Sequence, residues 1–387
     1  VGDQEVELTM QRFDVIIIGA GVAGASLAWR LAPRLRTAVV EMERVPGYHS
    51  SGRSATYFNV GLGVQASRLL TLASQSFFLQ PDPGFSAHPL ADPLPALTVA
   101  SAQSEVLLES HLLALRELVP SVARLDATEI QRLVPLIRPS RDGIWSAILD
   151  PSAFRIDGHA LLQGYLAGAK SQGARVAPGS EAVAITRRGS DWTVIAGTEQ
   201  IAAPVLVNAA GAWGDVVARR AGVPPVGLTP TRRTIVTFDA PEDRRLDGLP
   251  FVRSIDDLFY FTGESGGILL SPADETPVEP HDVQPEDEDI AIAIDRFEAV
   301  TGATVARIRS RWAGLRTFAR DRVPVIGFDR EAPGFFWCVG QGGVGLQTSP
   351  AASACAASVI LGEQWPAGLT EAGLRAADLS PRRFLDA

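Results

Sequence analysis

Cysteine, lysine and methionine are almost missing from this chain of 387 residues, which holds two Cys, two Met and a single lysine, Lys170. Cys338 and Cys355 are too few and too isolated for a disulfide framework, an iron–sulfur cluster or a cysteine zinc site. His49, His88, His111, His159 and His281 are scattered, so no bound metal is expected. Lys170 sits in "GAKSQGARV", which reads as a surface helix end, and lysine Schiff-base chemistry is set aside. Basic charge is short as well. A formal charge of -9, a pI near 5.2 and no clustered basic stripe leave no electrostatic footprint for nucleic acid.

Long apolar runs are equally scarce. The stretch from Val15 to Leu31 is interrupted by Gly19, Ala20, Gly21 and Gly24, and nothing else approaches the ~18 uninterrupted apolar residues of a membrane span. No integral membrane segment is expected, and a reducing, cytoplasmic compartment fits the cysteine usage. Residues 1–11, "VGDQEVELTMQ", read as a polar leader ahead of the first strand.

What the chain does have is globular composition, with 46% hydrophobic and 20% charged residues, and enough length for two or three cores at about 150 residues per domain. "FDVIIIGAGVAGASLAWRLA" opens with a continuous Val/Ile run, the pattern of a central parallel strand buried on both faces. Gly19, Gly21 and Gly24 then form G-x-G-x-x-G: a tight turn, close backbone approach to a pyrophosphate, and close packing of helix on strand. A second strand, "RTAVVE", ends at Glu41, at the ~20-residue spacing of an acid that binds ribose hydroxyls. An acid there fits FAD or NAD and repels the 2'-phosphate of NADP.

Later segments favour the longer cofactor. "EMERVPGYHSSGRSA" supplies hydroxyls and an Arg directly after Glu41, and "PVLVNAAGAWGDVV" ends a strand on Asn208, Ala209, Ala210 and Gly211. "FFWCVGQGGVGLQTS" adds a strand, a turn through Gly340, Gly342, Gly343 and Gly345, and a second helix N-terminus suited to a polarised flavin carbonyl. "RRTIVTF", "FVRSI", "LFYFTG" and "GGILLSP" read as an antiparallel meander, followed by an acidic loop and a helix, "IAIAIDRFEAV".

In this order, GAGVAGAS, Glu41, HSSGRSA, NAAGAW, WAGLRTF, VIG and QGGVGLQTS resemble the D-amino-acid oxidase superfamily of FAD-dependent oxidoreductases. "GYHSSGRSA", "GFSAHPL", "PVEPHDVQPE" and "LSPRR" are similar to its D-arginine dehydrogenase type. The resemblance implies an α/β fold: a Rossmann-type FAD-binding domain from residues 12–60, 150–222 and 305–380, interleaved with an α+β substrate domain built on an antiparallel sheet from 61–149 and 223–304. It implies cofactor contacts from Gly19, Gly21, Gly24, Glu41, Ser50, Arg53, Ser54, Ala55, Ala182, Ala210, Gly211, Trp213, Gly342, Gly345, Gln347 and Thr348. Relatives that attach flavin covalently carry Cys after "RT"; here that position is Phe318, which implies noncovalent FAD.

For the substrate, the resemblance assigns Arg233 and Arg316 to the α-carboxylate, Tyr260 to a phenol hydrogen bond, and Gly343 to backbone beside the amine. Tyr57, Asn59, Leu62 and Ala96 replace the type's His, Thr, lid Tyr and the Glu that receives a cationic side chain. Without that Glu, a buried guanidinium would lack its counter-charge, at a cost of several kcal/mol. Leu90, Leu94, Ala96 and Leu97 are expected to line that side, with Asp92 as the alternative acid. The expected reaction is oxidation of a small D-amino acid with a neutral side chain, by hydride transfer to flavin N5, giving an imino acid that hydrolyses to a 2-oxo acid and ammonia. No dedicated base is evident; water or Tyr57 with a partner is expected to take the amine proton, and Tyr57 is expected to face substrate. Alternatives are oxidation of a secondary amine (sarcosine, proline or an N-substituted amino acid) or a 2-hydroxy acid, and the flavin subunit of a larger electron-transfer complex. The electron acceptor, oxygen or quinone, is left open.

Overall fold

The computed structural model describes residues 10–140, 143–240, 246 and 248–384. Of the expected leader, residues 1–9 lie outside the described residues, while Gln11–Arg12 pair in parallel with Ile201 and Ala202.

Val15–Ile18 is buried at every position, and such a strand is stable only with neighbours on both sides. It has them: Thr37–Val40 and Val205–Asn208 flank it in parallel. Arg175–Ala177 extends this six-stranded sheet on one side; on the other come Phe335–Val339, in parallel, and Val325–Phe328, antiparallel at the edge. Helices Val22–Leu31, Gly158–Ser171 and Gly345–Leu361 pack together into one core with this sheet. The Asp157 carboxylate caps the second of them, accepting from the Ala160 N–H at 2.8 Å. A four-stranded sheet that includes Ala182–Arg188, Asp191–Ala196 and Glu199–Ala203 covers the other face.

The second body is a nine-stranded, largely antiparallel sheet. Phe251–Ser254, Tyr260–Glu264 and Gly267–Ser271 form the expected meander. Its second turn, Ser265 and Gly266, has φ of 46° and 74°, the left-handed pair that a two-residue hairpin requires. Thr229–Asp239 continues the sheet beside Gly267–Ser271. Alternation along that strand sends neighbouring arginines to opposite faces. Arg232 meets Asp289 at 2.8 Å and also Glu286, beside the helix Asp287–Thr301, whereas Arg233 lines the cavities on the cofactor side.

Two stretches cross the domain limits expected from sequence. Ile308–Phe318, inside the 305–380 segment, pairs with Thr229–Asp239 in the substrate-side sheet. The helix Gln65–Leu79, inside the 61–149 segment, buries Leu69, Leu70 and Phe78 in the cofactor-side core against Gly345–Leu361. Both follow from where apolar surface finds a partner, which the order of motifs does not reveal.

The helix after the first strand depends on backbone contact. A Cβ on Gly24 would lie 1.9 Å from the Gly19 carbonyl oxygen, so no side chain fits without moving the helix. Gly24→Ala is expected to lower stability by ~1–3 kcal/mol or more despite the better helix propensity of Ala, read as a lower thermal midpoint together with poorer flavin retention.

Candidate functional site

Two connected cavities lie between the sheets. The first runs along the C-terminal ends of the parallel strands, from Gly19 and Glu41 past Ser50–Ser51 and Ala210–Trp213 to Gly345. Gly19 has φ of 104°, and a Cβ there would lie 2.5 Å from the Ala209 carbonyl oxygen; the turn thus requires glycine on both conformational and steric grounds. Gly21 opens the helix Val22–Leu31 with no side-chain cap of its own, and the Val22 N–H donates to Ser51 Oγ at 3.0 Å. The Glu41 carboxylate accepts from the Ala20 N–H at 2.7 Å and the Glu43 N–H at 2.9 Å, which holds it at the mouth of the turn. The helix Gly345–Leu361 likewise begins without a side-chain cap, and its first residues also line this cavity. A long anionic dinucleotide fits these features: donors at two helix N-termini, a fixed carboxylate for hydroxyls, and bare backbone between them.

The second cavity shares Tyr260, Arg233, Arg316, Gly342 and Gly343 with the first. At this junction the guanidinium of Arg316 has no hydrogen-bond or ion-pair partner among the described residues. It packs on Gly343, where a Cβ would lie 2.7 Å from Arg316 Cζ. Arg233 donates to the Asp274 carbonyl at 2.7 Å and to Glu275 at 3.1 Å. Glu275 also accepts two bonds from Arg322, both 3.0 Å. Burial acts to raise the Glu275 pKa, but the Arg322 bonds and nearby charges outweigh it and hold the carboxyl below its usual value. Arg233 Cζ lies 6.0 Å from the centre of the Tyr260 ring, and the Tyr260 hydroxyl is buried without a partner among the described residues.

The cofactor positions expected from sequence fall mostly on the first cavity, where Ser54, Ala55, Ala182, Ala210, Gly211, Trp213 and Gly342 also appear. Arg53 lines it, yet its guanidinium is committed to the Ala313 and Val283 carbonyls and to Asp282 at 2.6 Å, tying the cofactor loop to the substrate-side sheet. Gly24 serves helix packing and lies off the cavity. Gln347 faces the second cavity and bonds to the Asn59 backbone and Thr71. Thr348 lines neither, its hydroxyl turned to the Val344 carbonyl at 3.0 Å.

On the substrate side the structure corrects several expectations. Leu62 lines the second cavity, but Asn59 does not; its Oδ1 accepts from the Gly61 N–H at 2.7 Å. Ala96, Leu90 and Leu97 are 1%, 1% and 0% exposed and do not line the cavity: Ala96 and Leu97 lie on the strand Ala96–Ala100, central in its sheet, and Leu90 packs into the cofactor-side core. Leu94 packs beside Tyr57 in the small adjoining core, and Asp92 is exposed on a short strand; neither lines the cavity. Tyr57 contributes a ring to the cavity wall, stacked on Phe251 at 4.2 Å, while its hydroxyl donates to the Leu94 carbonyl. Burial raises its pKa far above the ordinary phenol value, so it is no base.

Missed altogether were Arg68, His111, Phe251, Arg253, Glu275 and Arg322 in the second cavity. Arg253 carried a signal, a charge at the centre of the apolar run "FVRSI". Thr56, a β-branched residue at φ of 48°, marks the strained link between the two cavities.

The chain matches the family described as FAD dependent oxidoreductase over residues 14–359. It belongs to that family. It is 24% identical to the uncharacterized oxidoreductase YurR of Bacillus subtilis (strain 168), covering 90% of this chain and 95% of that one. Its fold is similar to L-proline dehydrogenase from P. horikoshii (TM-score 0.82, 20% identity, 97% of this chain and 99% of the other). It is also similar to glycine oxidase from Geobacillus kaustophilus (TM-score 0.80, 21% identity, 92% and 96%). The chain is thus an FAD-dependent oxidoreductase with the fold expected from sequence. Neither Cys338 nor Cys355 lines either cavity, and burial pushes both thiols up to about 12, consistent with noncovalent flavin. Among the described residues no helix is long and apolar enough to cross a membrane.

Burial, then the neighbouring Arg233 charge, pushes Arg316 down to about 10. Its folded value lies below its unfolded one, so the cost of this charge is present below about pH 10 and is relieved as pH rises toward the ordinary 12.5. A bound carboxylate reverses the sign and holds the proton on. Binding of acetate to the flavin-loaded protein, followed by flavin absorbance, is expected to be level from about pH 6 to 9 and to weaken above about 10; a loss below pH 9 would assign the clamp to another group.

Proposed function

We propose that the protein oxidises the C–N bond next to a carboxylate in a small amino acid, with the D configuration carried into the proposal by the resemblance. The observation that supports it is the Arg316 guanidinium, beside Arg233, and the Tyr260 phenol, both without a side-chain partner among the described residues, at the junction of the two cavities. A planar carboxylate matches the Arg fork, and Arg is the natural clamp where two oxygens must be held in one orientation. FAD bound in the first cavity supplies the acceptor for the hydride leaving the α-carbon.

In this reading Arg316 takes the carboxylate, Arg233 adds charge while Glu275 and the Asp274 carbonyl fix its orientation, and the Tyr260 hydroxyl donates to a carboxylate oxygen. The stacked rings of Tyr57, Phe251 and Tyr260 form the dry wall beside the reacting carbon. The amine proton passes to water, since the Tyr57 phenol is held by Leu94. Loss of that proton and of the α-hydride leaves an imine; water adds to it, and ammonia leaves with the 2-oxo acid. A cationic side chain of the D-arginine type is disfavoured, because Arg68 and Arg253 stand where its counter-charge would be needed. The apolar lining expected for a neutral side chain is not provided by Leu90, Ala96 and Leu97, which lie in the core. A reducing, cytoplasmic location, on the two buried free cysteines, and oxygen or quinone as acceptor complete the proposal.

Anaerobic bleaching of the flavin by a panel of D- and L-amino acids, sarcosine, proline and 2-hydroxy acids tests it. Bleaching by at least one amino acid without partner proteins is the expected result; bleaching by hydroxy acids alone, or by nothing, overturns it. Repeating the panel in air with peroxide detection separates oxygen from quinone. Arg316→Met is expected to lower kcat/KM by on the order of 10- to 100-fold, from the loss of charge-assisted bonds of ~1.5–3 kcal/mol, with flavin retained.

A further inference from the structure

The second cavity carries more positive charge than an α-carboxylate uses. Arg68, Arg233, Arg253, Arg316 and Arg322 line it against Asp257 and Glu275, in a chain whose formal charge is -9. Glu275 is consumed by Arg322 and Arg233. Asp257 sits on the rim with its side chain 77% exposed, so water screens its bond to Arg253.

Arg253 is the anomaly. It is 8% exposed on a central strand of the nine-stranded sheet, where an ion is costly to bury, and its one side-chain hydrogen bond among the described residues goes to Asp257 at 3.2 Å. Its five N–H donors leave most of the fork free. Burial depresses its pKa first, and the Arg233 charge depresses it further. Arg253 opposes Tyr260 across paired strands, so it stands on the far side of that ring from the Arg233–Arg316 clamp. Two further groups face the same end. Arg68 donates to the Gly63 carbonyl at 3.0 Å and to His111 Nδ1 at 3.3 Å. With Nδ1 accepting, His111 carries its proton on Nε2, an atom buried without a partner among the described residues. Burial, Arg253 and Arg68 push His111 down to about 3, so at working pH it is a neutral donor.

We propose that Arg253, Arg68 and His111 form a second anion-binding subsite, so that the substrate is a small amino acid or amine acid bearing a second anionic group, a carboxylate or a phosphonate, held at both ends. This rests on the proposed amino acid oxidation, whose clamp supplies the other end. Charge balance supports it: five guanidinium groups against Asp257 and Glu275 leave an excess of three positive charges, which one anion at each end lowers to one, whereas a neutral side chain leaves Arg253 with only the screened Asp257.

The flavin-loaded protein is reduced anaerobically with D-aspartate, D-glutamate, iminodiacetate and D-2-amino-3-phosphonopropionate, against D-asparagine, D-glutamine, D-alanine and sarcosine. Roughly tenfold or greater preference for the anionic members is expected, and the carboxylate and phosphonate arms identify the group. Equal or better rates with the neutral members overturn the subsite while the proposed reaction stands. If nothing reduces the flavin, the reaction fails, and ligand binding still decides the subsite: succinate is expected to perturb the flavin absorbance roughly tenfold more tightly than acetate. Arg253→Met, and separately Arg68→Gln, are expected to abolish that difference with the flavin spectrum unchanged. Persistence of the difference in both variants overturns the assignment.

Discussion

Like charges held side by side inside the protein are the constraint around which the substrate half is built. Arg233 and Arg316 come from strands paired to each other and reach the same cavity, where burial first, and then the Arg233 charge, depress the Arg316 pKa. The rest of the cavity's frame keeps that arrangement in place. The Asp274 carbonyl and Glu275 anchor Arg233, and Arg322 anchors Glu275. On the reverse face of the same strand, Arg232 is fully paired with Asp289 and Glu286, so two consecutive arginines have opposite fates. Arg232 is held by carboxylates of its own, whereas Arg233 shares its one carboxylate partner, Glu275, with Arg322 and opens on the cavity.

The cofactor half is governed by close approach of backbone. The turn at Gly19 fits only because glycine lets it pass the Ala209 carbonyl, and Gly24 lets the following helix close on that turn. These contacts bring the N-terminus of the helix Val22–Leu31, where the Val22 N–H donates to Ser51 Oγ, and the Glu41 carboxylate to one end of the cleft. Arg53 then couples the halves, since its bonds to Val283, Ala313 and Asp282 hold the cofactor loop against the strand that carries Arg316. Thr56, at φ of 48°, follows Ser54 and Ala55, which line both cavities, and itself lines the second.

The cofactor half was legible because its chemistry is local. A turn, a helix start and an acid about twenty residues on are written in order, and each needs one residue type. The meander was legible from its alternation and turns. The substrate cavity was misread in a particular way. Ala96 and Leu97 look like a pocket lining and are core, because a strand central in its sheet is covered on both faces, and Leu90 packs into the cofactor-side core. Tyr57 looks like a polar active-site group, yet its hydroxyl is committed to Leu94. Arg68, His111 and Arg253, which line the second cavity, come from a helix of the cofactor-side core, a separate helix and a central strand.

Residue order alone thus determined the dinucleotide turn and, through the order of its motifs, the family's fold, because period, glycine geometry and short-range spacing act within a few tens of residues. Folding decided the character of the far end of the substrate cavity. Charge there is a sum over side chains distant in sequence, and burial decides which of them keep a counter-ion; a chain that is acidic overall carries, at this one place, an excess of guanidinium groups.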